Sequence, residues 1–178
     1  MTNQILIAGF GGQGILFAGK FLAYEGLLEE KEVSWLPSYG PEMRGGTANC
    51  SIILSDTKIG SPIVTEPDLL VVMNLPSLDK YESATVKGGK IFVDSSLISR
   101  KVERTDVDSY YIPATPLASE NGLSGLANML MLGYMIKKSG VIPFENIDRA
   151  LAKVVPAKKQ ELLGSNKKAL ELGYNYAE

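Results

Sequence analysis

The sequence predicts a three-layer α/β/α sandwich of Rossmann-like type, with a mainly parallel sheet and a helical C-terminal arm. Three observations predict it. Short β-type runs alternate with helical runs through the first half of the chain. A glycine-rich turn joins the first predicted strand to the first predicted helix, and after Thr115 only helical patterns remain. The 178 residues leave room for little more than one domain at roughly 150 residues each, so 1–178 reads as one domain whose residues 157–178 form the arm.

Taken in order, Gln4 to Ala8 reads as a buried strand and Gly14 to Tyr24 as the helix packed on it. Glu32 to Leu36 and Thr47 to Leu54 supply the next two strands, the second closed by a turn at Ser55-Asp56. Leu69 to Asn74 is apolar enough for a mid-sheet strand buried on both faces. Pro76 opens a helix reaching about Val86, which Gly88-Gly89 stops. Lys90 to Asp94 and Ser109 to Pro113 complete the sheet. Thr115-Pro116 has the form of an N-cap followed by an N1 proline. Leu123 to Lys138, apolar almost all round, predicts a buried helix capped by Gly140. Pro143 to Val155 puts Ile147, Leu151 and Val154 on one stripe, and a last helix from about Lys158 presents Leu163, Leu170 and Tyr174. Pro156-Ala157-Lys158-Lys159 between them reads as a joint.

Composition excludes whole classes of chemistry. There are no histidines, so no Ser-His-Asp or Cys-His device and no histidine metal site can exist in this chain. One cysteine can neither close an internal disulfide nor hold an iron–sulfur cluster, which needs about four ligands. Eighteen basic residues against twenty acidic ones give a net charge of −2, which offers no electrostatic footprint for nucleic acid or an anionic membrane. No apolar run approaches the roughly 18 residues of a membrane span. Met1-Thr2-Asn3-Gln4 lacks the basic region of a signal peptide, so the expected compartment is the cytoplasm.

Gly9-Phe10-Gly11-Gly12-Gln13-Gly14 sits between a predicted strand and a predicted helix, the setting in which a G-x-G-x-x-G pattern carries information. Glycines there let the chain turn tightly and let backbone N–H groups face an anion at a helix N-terminus. A ligand cradle at Gly9, Gly11, Gly12, Gln13 and Gly14 is one reading, a bare strand–helix turn the other. Dinucleotide binding also needs a carboxylate ending the second strand, and that strand ends Leu36-Pro37-Ser38. Ordinary NAD binding is therefore disfavoured. The loop has no Walker lysine, which removes support for ATP hydrolysis.

A second cluster, Tyr39-Gly40-Pro41-Glu42-Met43-Arg44-Gly45-Gly46, joins two strands at the same predicted sheet edge. Glu42 and Arg44 are two apart, so extended backbone points both to one side. Arg44 offers a planar donor fork for a carboxylate or phosphate. Three glycines and a proline around those charges favour a ligand or subunit interface at Tyr39, Gly40, Glu42, Arg44, Gly45 and Gly46. As a plain surface loop, its Glu–Arg pair is worth at most about 1 kcal/mol. Cys50 reads as a small buried hydrophobe, Met129, Met131 and Met135 as core packing, and Asp94-Ser95-Ser96 as either a site or an N-cap. No nucleophile has an adjacent base, so no catalytic residue is assigned.

With those residues in hand, the chain resembles the gamma subunit of the 2-oxoacid:ferredoxin oxidoreductases, most closely the 2-oxoglutarate (KorC-type) branch, then the 2-oxoisovalerate and pyruvate branches. The resemblance rests on the Gly9–Ile15 block and on Ser38 to Gly46. Ser61-Pro62, Pro67-Asp68 and the tail from Asn166 to Tyr174 also fit. It implies a multi-subunit enzyme for CoA-dependent oxidative decarboxylation of a 2-oxoacid. Thiamine diphosphate and magnesium, and the iron–sulfur clusters that pass electrons to ferredoxin, would then belong to alpha, beta and ferredoxin-like partner subunits. This chain would lend its two glycine-bearing loops to the cleft, with Arg44 near an anionic group of CoA, or would pack them against a partner. Exposed partner-facing surface leaves a homodimer open to the chain when isolated. The alternative is a free-standing Rossmann-like module that binds a nucleotide or CoA. A single-chain dehydrogenase is disfavoured by the missing ribose carboxylate.

Overall fold

The computed structural model describes residues 1–38 and 47–177, with only the backbone given at Thr47. Six strands form one sheet in the order β2-β3-β1-β4-β5-β6: β1 Thr2–Phe10, β2 Glu32–Ser38, β3 Thr47–Ser55, β4 Leu69–Val72, β5 Lys90–Asp94 and β6 Asp108–Ile112. β1 pairs in parallel with β4, β4 with β5, and β5 with β6. β3 runs antiparallel to both β1 and β2, so it alone reverses the common strand direction. The sheet is thus mixed, and mainly parallel as the alternation predicts.

Side-chain alternation sorts the sheet into two cores. Ile5, Ile7, Ile52, Leu54, Leu69, Val71 and Phe92 join the core under α1 Ile15–Leu28, α3 Ala114–Glu120, α4 Ala127–Ser139, α5 Ile147–Val154 and α6 Leu162–Tyr174. Leu6, Ile53, Leu70, Val72, Ile91 and Val93 face the other way, with Leu78 of α2 Leu75–Tyr81 and Ile98 covering them. All four residues of β4 are buried, as expected for a strand covered on both sides. Each fully buried aliphatic side chain contributes about 1.5–3 kcal/mol.

The helix-rich face is held by a close crossing. Gly133 of α4 lies against the Leu170 and Tyr174 backbone of α6, and Gly173 of α6 against Leu130 and Tyr134 of α4, leaving no space for a methyl group at either glycine. The fully buried Tyr134 ring meets Phe92 edge-on at 6.1 Å and Tyr176 at 5.6 Å, tying the chain's tail to the core.

Several expected boundaries move: the first helix runs on to Leu28, the helix expected from Pro143 begins at Ile147, and the last begins at Leu162 after a 3-10 turn over Ala157–Lys159. The helix opened by Pro76 ends at Tyr81 and continues only as a 3-10 turn over Glu82–Ala84. The helix expected from Leu123 begins at Ala127, because Gly125 (φ 85°) breaks the path before it. Thr115 is not an N-cap: Pro113 holds that position. The Thr115 hydroxyl instead donates to Asp94 Oδ2 at 2.7 Å, and its backbone N–H to the same oxygen at 3.2 Å. Asp94 at the end of β5 therefore caps α3 through space.

Candidate functional site

β1 ends at Phe10, and the chain turns through Gly11, Gly12 and Gln13 to Gly14, which caps α1. Gly12 (φ 92°) and Gly14 (φ 73°) both take the left-handed conformation that the tight turn requires. No side chain caps α1, so its first N–H groups, at the positive end of the helix dipole, have no side-chain acceptor. Around Gly12 there is open space, whereas a side chain at Gly14 would strike the Asn128 carboxamide.

Gln13 turns inward. The Phe10 N–H donates to Gln13 Oε1 (2.6 Å), and Gln13 Nε2 donates to the Met73 carbonyl oxygen (3.0 Å). Met73 N–H in turn donates to the Ala8 carbonyl oxygen at 2.9 Å. β1 and β4 are the strands from which successive connections leave toward opposite edges of the sheet, through α1 on one face and α2 on the other. A dinucleotide would occupy the crevice between them. Here the Gln13 carboxamide spans it as a strut. Gly9, Gly11, Gly12 and Gly14 are brought together as the sequence predicts, while both polar atoms of Gln13 are used within the protein.

Tyr39, Gly40, Glu42, Arg44, Gly45 and Gly46 lie outside the described residues. The two ends of their segment are placed: Thr47 is the register partner of Phe10, and Ser38 that of Asn49. Both ends therefore sit at the carboxyl edge beside the glycine turn, where the sequence reading put them. β2 carries its one acid, Glu32, at the opposite end from that edge.

Clefts flank the turn. One of about 260 Å³ lies against Phe10, Gly11, Gly12 and Ala48. Another of about 300 Å³ is bounded by Gln13, Met73, Leu97, Thr115 and Ala127. A third, of about 270 Å³, opens between Gly14, Phe17, Asn128 and Asn166. Sequence reasoning missed Met73, Asn128 and Asn166. A single Asn in the apolar run Leu126-Ala127-Asn128-Met129 was the available signal for Asn128. Met73 acts through its backbone, which no side-chain motif reveals.

Among the described residues the donor sets do not fit a resident cluster or metal. Cys50 is fully buried in β3 and its thiol donates to the Ile15 carbonyl oxygen at 3.4 Å. Burial pushes that thiol up to about 12, far from the thiolate a cluster needs. Among the described residues, no group of three or more His, Cys, Asp or Glu could hold a metal ion. No described helix is long and apolar enough to cross a membrane.

A mixed α/β sheet whose glycine turn is braced from within and borders three clefts defines a Rossmann-like domain. Residues 4–176 match the family model described as pyruvate ferredoxin/flavodoxin oxidoreductase. The chain belongs to that family. It is 37% identical to the 2-oxoglutarate synthase subunit KorC of Methanocaldococcus jannaschii, a match covering 99% of this chain and 95% of KorC. It is 38% identical to the ketoisovalerate oxidoreductase subunit VorA of Methanothermobacter thermautotrophicus, over 98% of this chain and 36% of VorA. The chain thus spans little more than a third of the VorA relative's length. The crystal structure of a keto/oxoacid ferredoxin oxidoreductase gamma subunit from Geobacter sulfurreducens superposes with a TM-score of 0.82 at 28% identity, covering 97% of this chain and 96% of that one.

Proposed function

We propose that this chain is the gamma-type subunit of a 2-oxoacid:ferredoxin oxidoreductase that carries out CoA-dependent oxidative decarboxylation, with 2-oxoglutarate the favoured substrate. The observation that carries the reading is the near end-to-end match to KorC, 99% of one chain against 95% of the other. Thiamine diphosphate with magnesium would supply the decarboxylation chemistry, and iron–sulfur clusters the path to ferredoxin. Among the described residues no set of donors could hold a metal ion, and both groups are assigned to alpha, beta and ferredoxin-like partner subunits.

The share left to this chain is positional. The strut from Gln13 to Met73 fixes the glycine turn against the sheet edge. The uncapped first turn of α1, beside a cleft, favours a negative or carbonyl group there. Arg44, on the segment that begins and ends at that edge, is proposed to pair with an anionic group of CoA. Co-expressed with the genes beside its own, the chain should yield a complex that reduces ferredoxin or a viologen with 2-oxoglutarate and CoA; the chain alone should be inert. In that complex Arg44→Ala should raise the KM for CoA about tenfold or more, the loss of one charge-assisted contact. An unchanged KM with a weakened complex would assign Arg44 to packing against a partner. Turnover by the isolated chain would overturn the subunit reading.

A further inference from the structure

The two faces of the sheet are covered unequally. α1, α3, α4, α5 and α6 lie on one face, whereas on the other α2 packs on β4 and β1. Over β3 and β2 that second face is covered by the irregular segment 56–68, which joins β3 to β4. Val64 anchors the segment: its side chain is buried with Ile53, and its backbone N–H donates to Ser51 Oγ at 3.4 Å. Irregular loops of this length are uncommon in a compact domain and are usually functional.

The segment and β2 together present an apolar surface. Val33 and Trp35 pack toward α1, so alternation turns Ser34 and Leu36 to the face beneath the segment. Leu36 is the register partner of Ser51, the residue that Val64 holds. Gly60 and Pro62 border a groove of about 400 Å³ beside Ser34. Ile63, between Pro62 and Val64, therefore shares the face of Leu36. These two large side chains are 58% and 38% exposed respectively. The exposed apex Gly60-Ser61-Pro62-Ile63 carries no charge, nor do Ser34, Asn49 and Ser51, while Glu32 and Lys58 supply the charges of the groove's lining. A sheet margin that faces water is protected by charged side chains, whereas an uncharged centre with a charged rim marks a covered interface. β2 is an edge strand, but Pro37 has no N–H to donate, which disfavours strand addition and leaves the face as the docking element.

The relatives indicate what covers it. KorC is matched nearly end to end, so there this domain is a chain of its own; in the VorA relatives it is little more than a third of a longer chain. What the longer chain holds by covalent linkage, the separate chain must hold by contact alone. Resting on the subunit reading above, we propose that Leu36 and Ile63 dock the partner subunit that corresponds to the rest of VorA. An aliphatic or aromatic side chain of that subunit fills the space between β2 and residues 60–63.

The test titrates the tagged full chain with the purified partner subunits from the neighbouring genes, the VorA-like one identified by mass, and reads Kd by interferometry. Ile63→Asp should weaken binding about tenfold or more, as expected for a charge placed at an interface centre. Leu36→Lys should do the same; Ile63→Asp, on an exposed loop, keeps the test open should the strand variant not fold. Leu27→Asp, on the last turn of α1 and 55% exposed, should bind like the parent. Amide hydrogen exchange at Leu36 and Ile63 should slow in the complex. Unchanged Kd in folded Ile63→Asp, or an equal loss in Leu27→Asp, would overturn the proposal. A homodimer of the isolated chain broken by Ile63→Asp, with partner binding untouched, would assign the face to a second copy and overturn it too. Failure of the parent chain to form any complex would instead overturn the subunit reading, and this inference with it.

Discussion

The Gln13 side chain joins two neighbouring parallel strands at their carboxyl ends: it accepts from the Phe10 N–H at 2.6 Å and donates to the Met73 carbonyl oxygen at 3.0 Å. A carboxamide can do both at once and spread the two bonds apart, because it carries an acceptor and a donor on one carbon. Gln13→Ala should cost about 1–2 kcal/mol in urea denaturation, the net worth of two hydrogen bonds. Gln13→Glu keeps the acceptor but sets a carboxylate against the Met73 carbonyl, so at neutral pH it should cost more than the alanine. An alanine variant as stable as the parent would remove the strut from the account.

The crossing of α4 and α6 gives a sharper contrast between glycines. A methyl group at Gly133 meets the Leu170 carbonyl, and one at Gly173 meets the Leu130 carbonyl, backbone atoms that can yield only if the helices separate. Gly133→Ala and Gly173→Ala should each cost about 3 kcal/mol or more. Gly164, within α6, has open space around it and ordinary helical φ. Gly164→Ala should therefore gain roughly 0.5–1 kcal/mol from helix propensity. Thermal melts of the three variants check the ordering, and a neutral Gly133→Ala would contradict it.

Glu82 ties the segment between β5 and β6 to α2. It accepts from Arg100 Nη1 at 2.7 Å and from the backbone N–H groups of Glu103 and Arg104 at 2.5 and 3.1 Å, while Arg104 reaches back to the Glu82 carbonyl at 3.2 Å. Burial works against its charge, yet the Arg100 and backbone donors prevail and hold the carboxyl below its ordinary 4.5. The stability this provides is present above 4.5 and is lost as pH falls through the lower native value. Glu82→Ala should cost about 3 kcal/mol at neutral pH, leaving Arg100 with Asp79 as an ion-pair partner and the Lys101 carbonyl as an acceptor. Acid denaturation of the variant should show a shallower dependence on pH than the parent below 4.5.

The sheet was largely legible in the sequence because the alternation along β3 and the short continuous apolar runs of β1 and β4 each read as strand. The strand order and the reversal of β3 were not, since no local pattern distinguishes a parallel neighbour from an antiparallel one when both faces are covered. The glycine turn was read correctly as a turn of special backbone geometry. The bracing bonds of Gln13 were not legible, because its partner Met73 acts through a backbone carbonyl sixty residues away. Asp94 shows the same limit: its capping of α3 depends on β5 and β6 being neighbours, a tertiary fact. Asn128 and Asn166 sit in helices whose apolar content announced burial but not a shared cleft.

Glu25 is the one fully buried carboxylate of α1, and neither of its oxygens has a hydrogen-bond partner. Desolvation, with a further push from Glu29 one turn on, raises it from 4.5 to about 7 against the pull of Arg149 on α5. Glu29 is itself held by the Asn146 side chain at 2.8 Å, at the start of α5. Between pH 4.5 and 7 the native state holds a proton on Glu25 that the unfolded chain has lost. Stability from this group therefore falls as pH rises through that window, and the full penalty is in force above 7. Two and a half pH units set its upper size at about 3 kcal/mol. Glu25→Gln removes the charge while keeping the shape, so it should stabilise the chain at pH 8 and leave it nearly unchanged at pH 4.5. Urea midpoints at the two pH values measure this directly. Equal effects at both would mean that Glu25 keeps its charge at no cost, with Arg149 satisfying it in solution.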